Sequence, residues 1–316
     1  MLNDPPKMVY RSTKPTVVAK TKAAVVAHTK PAGTILPKTP YTTYSSPYGK
    51  TAGKISITPQ TKAKAVKSSS GTAFGDIPST ECLRPMGHSK IDLSVMWVTK
   101  QKDGLYLQLR YGVLRLCPIS SDVIRITFAK GSQIPAGTHP KIAIEKCFRG
   151  WMYKDTAKSV AIWTENLYLQ VDKATGAIQY LTGEKELLVS ERKQECRMVE
   201  RAMQGDVCGW LYLDFQKGEK IYAHRIADKF STSLRGVSRY FSHGSNTKDL
   251  PFLASEKGYG FVMATDASTF FCDIPSYGSF ICMEKEEKLD YYFLKAQNDS
   301  KLLEVFEWLS GKDWVN

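Results

Sequence analysis

The chain has 316 residues, with 44 lysines and arginines against 31 aspartates and glutamates, a net charge of +13. That length suffices for about two domains at the usual ~100–200 residues each. The charge is concentrated in residues 1–72, where Arg11 and eleven lysines face the single acid Asp4, and the remainder carries only +2. A body this close to neutral has no net field to steer a polyanion, and no apolar run approaches the ~18–20 residues of a membrane span.

Taken in chain order, the opening MLNDPPKMVYRSTKP lacks an apolar h-region and does not read as a secretory signal. Residues 1–72 hold eight of the fifteen prolines and no Cys, Trp or Phe. Such a composition cannot bury enough apolar surface to offset chain entropy, so this stretch is predicted to be a disordered basic tail. It could tether the body to an anionic partner such as nucleic acid or phospholipid, or be a solvated extension with no partner. Gly49-Lys50-Thr51 resembles the end of a phosphate loop, but the glycine required five positions earlier is Tyr44.

From about Phe74 the texture becomes period-two alternation, and residues 73–316 are expected to form one domain. Leu105, Leu107 and Leu109 alternate with polar residues, as do Ile124, Ile126 and Phe128, then Leu167, Leu169 and Val171. Asp172–Gly176 forms a turn whose glycine supplies a positive φ, and Ala177–Leu181 returns as the hairpin partner. Gly258–Ala264, Ser279–Met283 and Leu289–Leu294 continue the series. Short strands punctuated by Gly, Pro and Asp predict an all-β chain, a large antiparallel sandwich. One short helix follows: Asp299 or Ser300 can cap it, Leu302, Leu303, Val305, Phe306 and Leu309 form one face, and Gly311 suits a left-handed C-cap.

Chemistry is sparse. The seven cysteines, an odd number without a C-x-x-C pair, read as buried thiols in a reducing compartment, so a cytoplasmic protein is expected. The histidines form no metal-ligand spacing, and neither a metal nor a cofactor is expected. No nucleophile elbow occurs, and Asp206, Asp214, Asp228, Asp266 and Asp273 sit beside strands or turns, where Asp is common. Trp97, Trp151, Trp163 and Trp210, with Tyr222, Tyr240, Phe241, Tyr259 and Tyr277, could stack on the apolar faces of sugar rings. They serve equally as filling for a large sheet, the reading that composition favours.

Four segments carry a resemblance to a known family. Asp249-Leu-Pro-Phe-Leu-Ala-Ser-Glu-Lys-Gly-Tyr-Gly-Phe-Val-Met resembles the "PF-xx-S-xx-GYG" segment of glycoside hydrolase family 31, which contains α-glucosidases and α-xylosidases. Leu289-Asp-Tyr-Tyr-Phe-Leu with the helix Lys301–Leu309 is similar to the ending that follows it. Leu167–Ile178 resembles the family's "TG" hairpin, and Gly112–Phe128 its early strands. The resemblance covers roughly residues 90–312 and implies the family's N-terminal, galactose mutarotase-like β-sandwich. The family's (β/α)₈ barrel, which carries its aspartate nucleophile and acid/base, would begin after Gly311 and has no counterpart before Asn316. Retaining hydrolysis needs two carboxyls about 5 Å apart, so no catalytic residue is expected in this chain.

The resemblance departs from the family at Ala223-His224-Arg225-Ile226, where the family has a Gly-x-Gly-Glu core, though Tyr222 and Leu234-Arg235-Gly236 are kept. The family's loop over the outer sugar subsites matches Arg239–Asp249, which implies Arg239, Tyr240, Asn246 and Asp249 as carbohydrate-binding residues. The resulting expectation is a non-catalytic carbohydrate-binding or accessory sandwich for α-glucosides or α-xylosides. It would act alone, as a homo-oligomer, or with a separate barrel-bearing glycosidase chain, through the 239–249 edge and the 301–316 end. Two alternatives stand beside it. One is an aldose mutarotase or epimerase using His224 or His243 with Glu256 or Glu284; the other is a scaffold tethered by its basic tail.

Overall fold

The computed structural model describes residues 75–79, 82, 90–144, 148–203, 205–224, 233–244 and 249–311. The predicted disordered tail, residues 1–72, lies outside them. In chain order the first strands are β1 (Val95–Gln101), β2 (Gly104–Leu109), β3 (Gly112–Pro118) and β4 (Val123–Ala129). A second run follows: β5 (Met152–Asp155), β6 (Ser159–Trp163), β7 (Leu167–Asp172), β8 (Ile178–Thr182) and β9 (Leu187–Glu191). Then come β10 (Arg197–Arg201), β11 (Val207–Asp214), β12 (Ile221–His224), β13 (Ser238–His243) and β14 (Phe252–Ser255). The chain closes with β15 (Tyr259–Met263), β16 (Ser268–Ile274), β17 (Gly278–Met283), β18 (Lys288–Lys295) and the helix α1 (Asp299–Leu309).

The strands form two antiparallel sheets, an all-β sandwich as expected. One has eight strands in the order β1-β2-β3-β4-β18-β15-β14-β12. The other has ten, β13-β16-β17-β11-β9-β8-β7-β6-β5, with β10 alongside β11. The alternation read from the sequence is the alternation that packs: Leu105, Leu107 and Leu109 of β2 and Ile124, Ile126 and Phe128 of β4 face Leu167, Leu169 and Val171 of β7 across the main core. Gly176 makes the β7–β8 turn at φ 73°, and a Cβ there would come within 2.4 Å of the Leu93 carbonyl oxygen. No other residue fits that close approach without strain.

The core also contains an ion pair. Glu191 and Arg197 are wholly buried, and Glu191 further accepts from the Tyr180 hydroxyl (3.2 Å), the Tyr291 hydroxyl (3.1 Å) and the Ile178 amide (2.9 Å). Two charges in a dry core are tolerable only when paired and hydrogen-bonded in this way.

Each outer face is covered over part of its area, while β5 and the outward residues of β7 and β8 stay open or half-buried. On the eight-stranded sheet, Leu302, Phe306 and Leu309 of α1 pack with Phe252, Val262, Tyr292 and Leu294, and Phe252 stacks on Phe306 with ring centroids 4.7 Å apart. The cap is Asn298 rather than Asp299 or Ser300: its backbone is extended and its Oδ1 accepts from the Lys301 amide at 3.0 Å. Asp299 is the first helical residue, where its charge favours the helix N-terminus. Gly311 has φ 69°, the expected left-handed C-cap. Because this face is covered, the outward residues of β4 are buried too, and Arg125 is neutralised by a bidentate contact to Asp290, 2.8 and 2.7 Å.

On the ten-stranded sheet Cys82 packs among Trp210, Phe270, Phe280 and the thiols of Cys208, Cys272 and Cys282, and with residues 75–79, which bond to β13, it forms a strap. Gly75 bridges to Ser238, the Asp76 amide donates to the Ser238 carbonyl at 2.8 Å, and the Trp210 indole N–H donates to the Cys82 carbonyl at 3.3 Å. All six described cysteines are buried thiols, and burial pushes the Cys196 thiol up to about 12. No described helix is long and apolar enough to cross a membrane.

Candidate functional site

β12 ends the eight-stranded order and β13 the ten-stranded one, joined where the Leu234 amide bonds to the Ile221 carbonyl ahead of β13. β1 and β5 are the opposite ends of the two orders. At the β1–β5 end the Lys100 ammonium lies 5.1 Å from the Trp151 ring centroid and 5.3 Å from that of Tyr153. The predicted site residues belong to the β13 end. Arg239 is exposed on β13, Tyr240 is half-buried beside it, and Asp249 is half-buried just before Leu250, which enters the helix-side core. Asn246 lies outside the described residues. The structure therefore brings Arg239 and Tyr240 together on one edge strand, with a bulge between Tyr240 and Ser242.

Tyr240 is a hub that the sequence did not reveal. Its hydroxyl donates to Glu284 Oε1 at 2.7 Å and accepts from the Ser79 amide at 2.8 Å. Its own amide donates to Asp76 Oδ2 at 2.9 Å. The same Glu284 oxygen accepts from the Ser79 hydroxyl (2.7 Å) and the Cys82 thiol (3.3 Å). The ring stacks on His243, centroids 5.5 Å apart, and tilts against Phe270 at 5.0 Å. Burial raises the Tyr240 hydroxyl well above its ordinary value, so it stays a neutral donor and acceptor. The cluster's evident work is to lock the strap onto β13 and β17.

The geometry separates the residues named for a mutarotase. His243 and Glu284 both flank Tyr240, with three donors converging on one Glu284 oxygen. Glu256 instead accepts from the Lys220 amide at 3.0 Å on the β14–β15 turn. His224 ends β12, and its side chain lies outside the described residues. Three further described carboxylates have partners of their own. Asp273 accepts from Arg235 (2.7 Å), the Gly236 amide (2.8 Å) and the Ser279 hydroxyl. Glu219 accepts from the Ser255 and Tyr259 hydroxyls, and Asp266 from Lys141 at 2.6 Å. The retained Leu234-Arg235-Gly236 is thus a corner: the Leu234 amide donates to the Ile221 carbonyl at 2.7 Å, and Arg235 also donates to the Gln216 and Glu219 carbonyls, both 3.1 Å.

The aromatic residues divide between the two readings. Trp210 and Tyr259 are core, whereas Trp97, Tyr277 and the helix residue Trp308 are exposed. Trp163 stacks on Tyr168, centroids 5.6 Å apart.

No protein-family model matches the chain, and no curated protein matches it by sequence. Solved structures do match. A Flavobacterium johnsoniae GH31 dextranase complexed with glucose superposes with TM-score 0.57 at 16% identity, covering 71% of this chain and 28% of the dextranase. The fold is that of a segment of GH31 enzymes. A GH31 α-xylosidase from a soil metagenome, complexed with xylose, gives 0.53 at 15% identity over 63% of this chain and 32% of its own. The cycloalternan-forming enzyme of Listeria monocytogenes, in complex with a pentasaccharide substrate, gives 0.56 at 16% identity over 68% and 22%. The chain thus spans only 22–32% of the length of these enzymes.

Proposed function

We propose that this chain is a non-catalytic, carbohydrate-binding β-sandwich related to the N-terminal domain of family 31 glycosidases, serving α-glucosides or α-xylosides alone or beside a separate catalytic chain. One observation carries the reading. The fold matches a segment of sugar-processing enzymes, while three described carboxylates near β12 and β13 are engaged in holding the sandwich together. Asp273 secures the Arg235 corner, Glu219 the β14–β15 hairpin and Glu284 the strap, and charges so engaged serve architecture rather than bond cleavage. Arg239, exposed on β13, can donate to sugar hydroxyls, and with Tyr240, Asn246 and Asp249 it makes up the proposed binding edge. Family resemblance supplies the substrate class, and fold alone does not supply activity.

The test pairs binding with turnover. Calorimetric titration of the full chain with glucose, xylose and isomaltotriose is expected to show saturable binding, weakened by Arg239→Ala. Incubation with isomaltotriose or an aryl α-xyloside is expected to release no reducing ends, and anomer interconversion to run at the buffer rate. Hydrolysis by pure material would overturn the non-catalytic reading. Mutarotation lost in Glu284→Gln would favour the epimerase alternative instead.

A further inference from the structure

A pocket of about 480 Å³ opens between the start of β4, the end of β18 and the exposed flank of α1. Its volume lies in the range of about 300–1,000 Å³ typical of small-molecule sites. The helix builds one wall by simple periodicity. Leu302, Phe306 and Leu309 turn into the core, which leaves Lys301, Glu304 and Trp308 as a second stripe at helical spacing. Trp308, 41% exposed, lines this pocket rather than packing. What bears on a ligand is its position: the ring stands at the wall of a pocket whose other side carries polar groups.

The polar groups opposite it fit hydroxyls. Asp122 accepts from Asn166 at 2.7 Å on one oxygen and from Ser121 at 2.6 Å on the other, which leaves each oxygen a further lone pair. Lys295 donates to the Ala296 carbonyl and keeps two further N–H donors. Burial lowers its ammonium, with the charges of Asp122 and Glu184 pulling the other way. Gln297 is exposed and offers an amide donor and acceptor at the rim. Lys301 and Glu304 neutralise each other at 2.9 and 2.7 Å. Two cations and two carboxylates cancel, so the pocket selects no ion. What remains is an apolar ring face beside fixed donors and acceptors.

We propose that this pocket binds a neutral saccharide of one or two pyranose rings, with Trp308 as the stacking platform and Asp122, Gln297 and Lys295 as hydroxyl partners. The inference rests on the carbohydrate reading above but uses a surface separate from the Arg239–Asp249 edge.

Two measurements on the full chain test it: calorimetry with isomaltotriose and methyl α-xyloside, and the indole N–H resonance of Trp308, identified by its loss in Trp308→Ala. The resonance is expected to shift saturably with the calorimetric affinity. Trp308→Ala or Gln297→Ala is expected to weaken binding at this site about tenfold or more, with unchanged circular dichroism because the buried stripe is untouched. Trp97→Ala, removing an exposed ring on β1, is the control expected to change nothing. If sugar binds and the Trp308 resonance stays still, the pocket assignment falls and the carbohydrate reading stands. Absence of binding to either sugar overturns both. If Trp308→Ala alters only self-association in light scattering, the ring belongs to a protein contact and the saccharide site is overturned.

Discussion

The two outer faces of the sandwich are each covered in part, and by opposite means. Over the eight-stranded sheet, α1 contributes three buried apolar side chains and a stacked Phe252–Phe306 pair, a non-directional contact that scales with area. Over the ten-stranded sheet, a strap of a few residues is held by directed bonds: Tyr240 and Ser79 to Glu284, Asp76 to β13, Trp210 to the Cys82 carbonyl. The first kind of cover tolerates changes in detail but not in volume. The second tolerates changes in volume but loses its hold when one donor is removed, because a buried acceptor is then left short of a partner.

Truncating the helix cover is expected to have the largest effect. Phe306→Ala removes a ring that is 1% exposed and leaves a cavity against Phe252, at a cost of about 3–5 kcal/mol. Urea unfolding should show the midpoint falling with an unchanged slope, since the fold is retained until it is lost as a whole. A loss under about 1 kcal/mol would mean that the helix packs more loosely than its burial indicates.

The contrast also explains what the sequence disclosed. The helix and the inward strand residues follow local periods, so Leu105, Leu107 and Leu109, or Leu302, Phe306 and Leu309, could be read from a window of a dozen residues. The strap could not. Its contacts join Ser79 to Glu284, 205 positions apart, and Ser79 to Tyr240, 161 apart, and no local pattern marks such pairs. For the same reason Glu284 reads as a candidate base in the sequence and emerges as an anchor. Its neighbours Ser79 and Cys82 lie past Phe74 but ahead of Leu105, where the first strand is read from the sequence. Tyr240 was found as a residue, through the family resemblance, while its hydrogen bonds became visible only in three dimensions. Asn298, one residue ahead of the expected caps, shows that even a local signal leaves the choice among adjacent polar residues to backbone geometry.

A smaller effect is expected from loosening the strap. Tyr240→Phe keeps the ring and its contact with Phe270 but takes one of three donors from Glu284, a change of about 1–3 kcal/mol. Because the strap is a separate cover, the loss should be local. Amide hydrogen exchange should rise at residues 76–79 and at β13, while the amides of β15 and β18, under the helix, keep their protection. Uniform acceleration across both sheets would erase the distinction between the two covers.

The smallest effect concerns the polar margin of the helix-covered face, where the segment before Ile142 is pinned by His139 and Lys141 to Asp266. The Lys141 amide donates to His139 Nδ1 at 3.3 Å, so the neutral ring carries its proton on Nε2, 3.3 Å from Asp266. Burial holds the His139 imidazole below its usual range, against the pull of the Asp266 charge. Asp266 is likewise lowered, first by its bond from Lys141. A histidine whose folded pKa is depressed contributes its full stability above its unfolded value of about 6.5, and that contribution is lost as pH falls toward the folded value. The aspartate adds a loss of the same sign at lower pH, below about 3.9. Stability should therefore decline on acidification from about pH 6.5. His139→Gln, whose amide cannot titrate, should flatten the upper part of that decline. Melting temperatures of both forms across the range from pH 7 to pH 4 measure the difference. Parallel profiles would show that protonation at this margin is not coupled to folding.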